Sequence, residues 1–290
     1  MSDAPVQPGL QSTPAETVSA GTTPATWGVL RRFTDARIAL GRAGRSLPTA
    51  PHLAFQLAHA QARDAVHLPF DAQGVASRIQ ALGLQTLSLH SAAADRAVYL
   101  QRPDLGRHLD DVSRVQLEAR RATPAPEYAY DLAFVVADGL SALAIHENAA
   151  PLIAATLARL QDASPLWAVA PVVLVEQARV AVGDEVGAGL GARCVVVLIG
   201  ERPGLSSPNS MGLYLTWHPQ PGLTDERRNC ISNVRSAGLP ADAAAAKLVH
   251  LLQAARTLQL TGVGLKDTQD QGAPTLDASA ERGRNFLLGQ

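Results

Sequence analysis

Five stretches of the 290-residue sequence carry residue types at spacings that could do chemistry. The first is the turn Asp138-Gly139-Leu140-Ser141, which follows the apolar run LAFVVA and precedes a long Ala/Leu segment. A serine nucleophile elbow reads G-x-S-x-G at such a strand-to-helix turn. Here the fifth position is Leu143, so the close approach of helix to strand is not encoded. Ser141 is equally placed to cap the helix that follows, and the cap is the favoured reading. The second stretch, Gly187-Ala188-Gly189-Leu190-Gly191, lacks the G-x-G-x-x-G spacing and lies late in a helical segment, so close helix packing explains it better than a dinucleotide site. No P-loop pattern G-x-x-x-x-G-K-[ST] occurs.

The third candidate is metal chemistry. His52, His59, His67, His90, His108, His146, His218 and His250 are scattered, and the H-E-x-x-H pattern is begun by His146-Glu147 but not completed. Surface or helix-packing roles are expected for all eight. The fourth is the cluster Arg31, Arg32, Arg37, Arg42 and Arg45, with Trp27 and Phe33 nearby. Because the chain as a whole is not basic, the acidic surface of a partner protein fits this cluster better than nucleic acid does. A solvated helix face is the plain alternative.

The fifth is GERPGL, Gly200 to Leu205, which leaves the apolar run CVVVLI. It sets a carboxylate, Glu201, beside a guanidinium, Arg202, and Pro203-Gly204 then force a turn. Taken alone, the pair reads as an ion pair that only fixes that turn. Further on, Arg227 to Asn233 (RRNCISN) shows little regular patterning and reads as an irregular polar loop, a kind often functional in compact domains.

The elements that must position these groups follow from apolar patterning. Between Trp27 and Arg121 the patterns are mostly helical: Leu53, Ala54, Leu57 and Ala58 form one face, and Val75, Ile79 and Leu82 form another that Gly83 ends. Asp110 to Arg121 predicts a helix with Val112, Val115 and Ala119 on one side, and Val98 to Leu100 a short strand. Thr123-Pro124-Ala125-Pro126 reads as a linker. From Tyr130 the runs LAFVVA, AVAPVVLV and CVVVLI alternate with helical stretches, the pattern of a parallel sheet with crossovers. A further strand is expected at Gly212 to Trp217 and a last helix at Ala241 to Leu258. The fold class is α/β, a Rossmann-like parallel sheet domain preceded by a mainly helical N-terminal region. The divisions are a disordered tail at 1–26, the helical region at 27–125, the α/β domain at 126–265 and a C-terminal tail at 266–290. Ligands in such sheets bind beyond the carboxyl ends of the strands. Here those ends are Asp138-Gly139, Glu176 to Val180 and Gly200 to Leu205.

The bulk properties exclude several classes. Net charge is −1, which points to neither nucleic acid nor an anionic membrane. The N-terminal segment has no basic start and no apolar core, so a secretory signal is not expected, and no apolar run approaches the ~20 residues of a membrane span. Cys194 sits in an apolar run as a small hydrophobe, and without Cys-x-x-Cys neither structural zinc nor a disulfide framework is encoded. Of 25 basic residues only Lys247 and Lys266 are lysines, a bias read as genomic base composition.

GERPGL and CISN (Cys230 to Asn233) with a preceding arginine, together with GRAG (Gly41 to Gly44), RPDLGR (Arg102 to Arg107), DGLS (Asp138 to Ser141) and ARVAVGDEVG (Ala178 to Gly187), occur in one order. In this the chain resembles the small subunit of ethanolamine ammonia-lyase, from about residue 30 to 240. The resemblance implies an adenosylcobalamin-dependent lyase that converts ethanolamine to acetaldehyde and ammonia. It implies a large subunit that holds the substrate and the radical chemistry, with six copies of each subunit, and a non-catalytic small subunit that closes the cobalamin site. It carries the cobalamin contacts onto Val180, Glu201 and Cys230. The chain lacks Asp-x-His-x-x-Gly, the motif by which one class of cobalamin proteins gives a histidine to cobalt. That fits a cobalamin that keeps its own base. The implied location is the cytoplasm, free or within a bacterial microcompartment, with no nucleic acid or membrane as partner. The competing reading is a self-sufficient α/β hydrolase or transferase using Ser141 and Asp138.

Overall fold

A computed structural model describes residues 21–120, 128–161 and 165–266. The tails expected at the two ends lie mostly outside the described residues, and the Thr123–Pro126 linker wholly so. The chain divides into two compact units, Met1–Ala60 and Gln61–Gln290. In the first, Thr23 and Arg42 exchange backbone hydrogen bonds, and a 3-10 turn spans Gly28–Phe33.

The second unit is built on one six-stranded sheet. Its strands are β1 (Thr86–His90), β2 (Tyr130–Ala137), β3 (Val172–Glu176), β4 (Ala192–Gly200), β5 (Met211–Trp217) and β6 (Arg228–Val234), in the spatial order β1-β3-β2-β4-β5-β6. β1, β3, β2 and β4 run parallel, whereas β5 and β6 are antiparallel to their neighbours. The sheet is therefore mixed rather than parallel throughout. The cause is the short GERPGL connection, which returns the chain directly beside β4 without a crossover helix.

Helices cover both faces, which is why β2, β3 and β4 read as unbroken Val/Leu/Ile runs. On one face α2 (Ala72–Gln80), α5 (Ala142–Leu160) and α7 (Ala241–Leu258) pack Ile79, Leu152, Ile153, Leu248 and Leu252 against Phe134, Val196 and Leu213. On the other, α4 (Asp111–Glu118) and α6 (Val182–Leu190) pack Leu117, Val186 and Leu190 against Val135, Val173 and Val197. β2 connects through α5 to β3 on one side, and β3 connects through α6 to β4 on the other. That reversal places α5 and α6 on opposite faces, as right-handed crossovers require.

Three sequence expectations change in the N-terminal half. β1 lies inside the stretch expected to be helical; it is a five-residue edge strand with half-polar TLSLH, too short and mixed to stand out. Val98–Leu100 belongs to α3 (Arg96–Gln101), whose N-cap Asp95 accepts from the Val98 N–H at 2.8 Å, so the cap overrides the local strand propensity. Leu53 and Leu57 on α1 (Thr49–His67) and Val112 and Val115 on α4 are exposed; α4 instead buries Ser113 and Leu117. The stops do hold: α2 is followed by Gly83 at φ +84°, and the last helix spans Ala241–Leu258 as read from its pattern.

Candidate functional site

At Gly200 the chain leaves β4 pressed against the turn after β2. The Leu140 N–H donates to the Gly200 carbonyl at 2.9 Å, and a side chain at either Gly139 or Gly200 would collide with the other segment. Gly139 also has φ +58°, a conformation that favours glycine. The glycines of DGLS and GERPGL thus serve one close backbone approach. Ser141 is fully buried; its hydroxyl accepts from the Ala144 N–H and donates to the Pro208 carbonyl at 2.7 Å. It is the helix cap expected for α5, and its proton is already committed, so nothing here equips it as a nucleophile.

Beyond Gly200, Glu201 folds back over the sheet. Its amide donates to the Ser210 carbonyl at 2.9 Å, and its Oε2 accepts from the Ser210 hydroxyl and from the Asn233 N–H at 3.2 Å. Reaching Asn233 on β6 means crossing β5 at Gly212, where an added Cβ would stand 3.0 Å from Oε1. Among the described residues no ion pair joins Glu201 to Arg202, which is exposed, so the simple turn-fixing pair is not what forms. Oε1 has no hydrogen-bond partner among the described residues.

Cys230 is not in a loop: Arg228–Val234 is β6, an edge strand whose residues pair with β5 in the register Tyr214↔Cys230 and Thr216↔Arg228. Its alternation was hidden because the outward positions, Ser232 and Asn233 among them, are polar. Met211, Leu213, Leu215 and Trp217 of β5 point into the α5/α7 face. Gly212, Tyr214 and Thr216 therefore point to the opposite face, with Cys230 and Arg228 beside them. There α6 and α4 cover the parallel strands but leave Tyr214 half-buried and Cys230 exposed. Burial pushes the Cys230 thiol above its ordinary range, a tendency the Tyr214 hydrogen bond opposes and the Glu201 charge reinforces. The thiol stays protonated at neutral pH, which makes it a poor nucleophile.

Val180 follows β3 on the same face, half-buried against the core beneath α6. Its segment is gripped from several sides: Tyr99 Oη donates to the Ala178 carbonyl at 3.1 Å, the Arg179 N–H to the Gly106 carbonyl at 2.7 Å, and Ser91 Oγ to the Gln177 carbonyl at 2.7 Å. Ala181, the N-cap of α6, offers no side-chain cap, and the Val180 N–H has no partner among the described residues. α6 lies close on the sheet because Gly183 and Gly187 face Val197, Val195 and Pro219, where side chains would clash. Gly191 closes the helix at φ +66°. The packing account of the Gly-rich stretch holds.

One buried ion pair joins these parts. Arg228 on β6 grips Asp184 on α6 with both ends of its guanidinium, at 2.7 and 2.8 Å, and also donates to Thr216 Oγ1 at 3.0 Å. Both side chains are 2% exposed. This link between the Val180 side and the Cys230 side was missed in the sequence because its halves lie in two unrelated stretches. Tyr214 and Gly212 were also missed as site residues, and only strand parity around Gly212–Trp217 could have placed them; Asn233 lay within the stretch read as a polar loop. Beside the pair, Arg107, His108, Ala181, Glu185 and Asp225 line a cavity of about 330 Å³.

The remaining candidates are structural. His146 accepts from the Asp71 N–H at 2.9 Å and stacks on Phe70. Cys194 is fully buried. Among the described residues no group of three His, Cys, Asp or Glu could hold a metal, and no helix is long and apolar enough to cross a membrane.

Known proteins carry the same sequence features over nearly the whole chain. The family model for the ethanolamine ammonia-lyase light chain (EutC) matches residues 24–266. A protein of Ralstonia nicotianae named ethanolamine ammonia-lyase small subunit is 59% identical over 271 residues, covering 92% of this chain and 97% of that one. Proteins of the same name from Pseudomonas fluorescens and Pseudomonas putida are 56% and 55% identical, each over 91% of this chain and 94% and 96% of their own lengths.

Proposed function

The chain belongs to the ethanolamine ammonia-lyase light-chain family, and on that premise we propose that it is the small subunit of adenosylcobalamin-dependent ethanolamine ammonia-lyase, closing the cobalamin site against a catalytic large subunit. The observation that carries this reading is Glu201. Its carboxylate is held rigid by Ser210 and Asn233, yet keeps Oε1 open, on the same face as the half-buried Tyr214 and the exposed Cys230.

The residues fit the group. Corrin is a broad, largely apolar disc with an amide rim, and its tail adds hydroxyls and a phosphate. Val180, Tyr214 and Cys230 offer an apolar, uncharged shelf for such a disc. Glu201 Oε1 accepts from a rim amide or a hydroxyl, and the Val180 N–H donates to an acceptor. As the edge strand, β6 leaves alternate backbone groups at Cys230 and its neighbours without a strand partner. Polar groups left unpaired at a desolvated interface lose affinity, so these positions set orientation as well as binding. When bound, adenosylcobalamin supplies the radical chemistry that deaminates ethanolamine. This chain's residues hold the cofactor and exclude water from its side, and no catalytic residue is assigned to it.

The small-subunit name of the relatives supports a large-subunit partner, and the reading includes six copies of each chain. Trp27, Val29, Phe33, Leu47, Leu53 and Leu57 are all at least half exposed, next to Arg31, Arg32, Arg37, Arg42 and Arg45. Such an apolar, basic segment suits contact with a partner's acidic-rimmed surface. The same reading places the protein in the cytoplasm, free or inside a microcompartment.

Co-expression with a large subunit, followed by co-purification and a cobalamin absorption spectrum, tests the assignment. The expected result is a stable complex that retains cobalamin and turns over ethanolamine, while this chain alone does neither. Turnover of any ester or amide by the chain alone would favour the Ser141 hydrolase instead.

A further inference from the structure

Asp138 is a carboxylate buried at the end of β2, between the ends of β3 and β4, with 2% exposure. Its Oδ1 accepts from the Gly139 N–H at 3.0 Å and from the Ala178 N–H at 3.2 Å. Its Oδ2 faces Arg96 Nη1 at 3.4 Å. Arg96, from α3, also donates through Nε to the Val66 carbonyl and through Nη1 to the Gly139 carbonyl, both at 2.7 Å, and lies 3.4 Å from Gln177 Oε1. The guanidinium groups of Arg96 and Arg179 both stack on Tyr99, 4.9 and 4.3 Å from its ring centre.

A buried ion pair is a costly way to join two loops. A neutral amide at position 138 would satisfy the same two N–H donors without the desolvation penalty, so the charge has work only toward Arg96. What the pair holds is Gln177–Ala181, in which Gln177 is kept at φ +53°, a backbone state that a side chain disfavours. Ala178 is fixed through its N–H by Asp138 and through its carbonyl by Tyr99. Val180 comes two residues later.

We infer that Asp138 and Arg96 are positioning residues for the cofactor shelf, a buried ion pair that sets the Gln177–Ala181 backbone and through it the free N–H of Val180. Neither touches cobalamin. The inference rests on the cofactor reading above and adds to it a dependence on charge. Burial, opposed by Arg96, raises the Asp138 carboxyl to about 6, so the carboxylate takes up a proton just below neutrality and the ion pair is lost. Tyr99 on α3, the other titratable group against it, is pushed far up by burial and keeps its proton throughout that range; the Arg179 guanidinium stacks on the same ring.

The test is an absorbance titration of the assembled two-subunit complex with cobalamin, alongside amide hydrogen exchange of residues 177–181. Asp138→Asn keeps the acceptor and removes the charge, and Arg96→Gln removes the other half. Each is expected to weaken cobalamin binding about tenfold, equal to about 1.4 kcal/mol, and to speed exchange at Ala178 and Arg179. Tyr99→Phe, which deletes only the hydroxyl, is expected to weaken it about threefold and decides the matter if the charge variants fail to assemble. Wild-type affinity falls as pH drops through about 6, and Asp138→Asn shows no such step. Affinity within twofold of wild type with an unchanged pH profile overturns the inference. Glu201→Ala run in parallel separates the two levels. If Glu201→Ala alone weakens binding, the positioning role is refuted and the shelf stands. If Glu201→Ala has no effect, the cofactor reading fails and the inference fails with it.

Discussion

Replacing Arg228 with alanine removes the cation hydrogen-bonded to Asp184, leaving only the more distant charge of Arg107. Asp184 is 1% exposed and would lose hydrogen bonds of 2.7 and 2.8 Å together with the countercharge. Breaking a buried pair by deleting one partner costs about 3–5 kcal/mol, because the remaining charge is left without water or counterion. At about 2–4 °C per kcal/mol for a unit of this size, the midpoint should fall by about 6–20 °C. Urea denaturation of the wild type, Arg228→Ala, Asp184→Ala and the double variant forms a complete cycle. The double variant should cost clearly less than the sum of the singles, with a coupling near the upper end of about 0.5–3 kcal/mol. The pH dependence has a definite sign. Burial already raises the Asp184 carboxyl, and the Arg228 hydrogen bond opposes that rise. Without Arg228 the folded-state pKa rises further, so Arg228→Ala regains stability as pH falls and Asp184 takes up a proton. A cost below about 1 kcal/mol, or singles that simply add, would refute the claim that this pair is desolvated and ties α6 to β6.

Three further outcomes follow from the same geometry. Gly212→Ala places a Cβ 3.0 Å from Glu201 Oε1 and should lower cobalamin affinity of the complex about threefold to tenfold, with little change in melting temperature; a drop in stability without loss of affinity would contradict the crossing of β5 by Glu201. Ser141→Ala removes a helix cap and strands the Pro208 carbonyl, so thermal unfolding should show a loss of about 1–2 kcal/mol while ethanolamine turnover by the folded complex persists. Selective loss of turnover would revive the nucleophile reading. Asp138, about 6 when folded against about 3.9 unfolded, contributes stability that is fully present below about pH 4 and lost as pH rises through about 6. Relative to Asp138→Asn, the wild type should therefore gain about 2 kcal/mol between pH 7 and pH 4 in denaturation curves, and a constant difference would rule this out.

The parallel half of the fold was legible because burial on both faces forces continuous apolar runs. The Leu132–Ala137 and Cys194–Ile199 runs leave little else possible, and Gly83 and Ser141 mark their helix boundaries for local steric and hydrogen-bonding reasons. β1 and β6 were not legible. Both are edge strands, and one or both faces of each meet polar surroundings, so TLSLH and RNCISNV lack the apolar signature. The antiparallel return of β5 depends on a ten-residue connection whose path is set by Glu201, Ser210 and the Gly204–Ser207 turn, none of which is periodic. Val180, Glu201 and Cys230 came from resemblance, because their relation exists only across three separate elements. The sequence could show a carboxylate leaving a strand, but only the folded sheet shows it reaching over Gly212 to β6.

The central claim, that this chain closes a cobalamin site through Glu201, is tested most directly by cobalamin affinity in the assembled complex with Glu201 intact and with Glu201→Ala. Absorbance titration should show tight cobalamin retention with the wild-type chain. It should show a loss of about tenfold or more in Glu201→Ala, consistent with about 1.5–3 kcal/mol for a hydrogen bond to a charged group. Release of most of the cobalamin when the chain is stripped from the complex completes the expected result. Unchanged affinity in Glu201→Ala, with cobalamin still fully bound after the chain is removed, would make this subunit a scaffold and contradict the account.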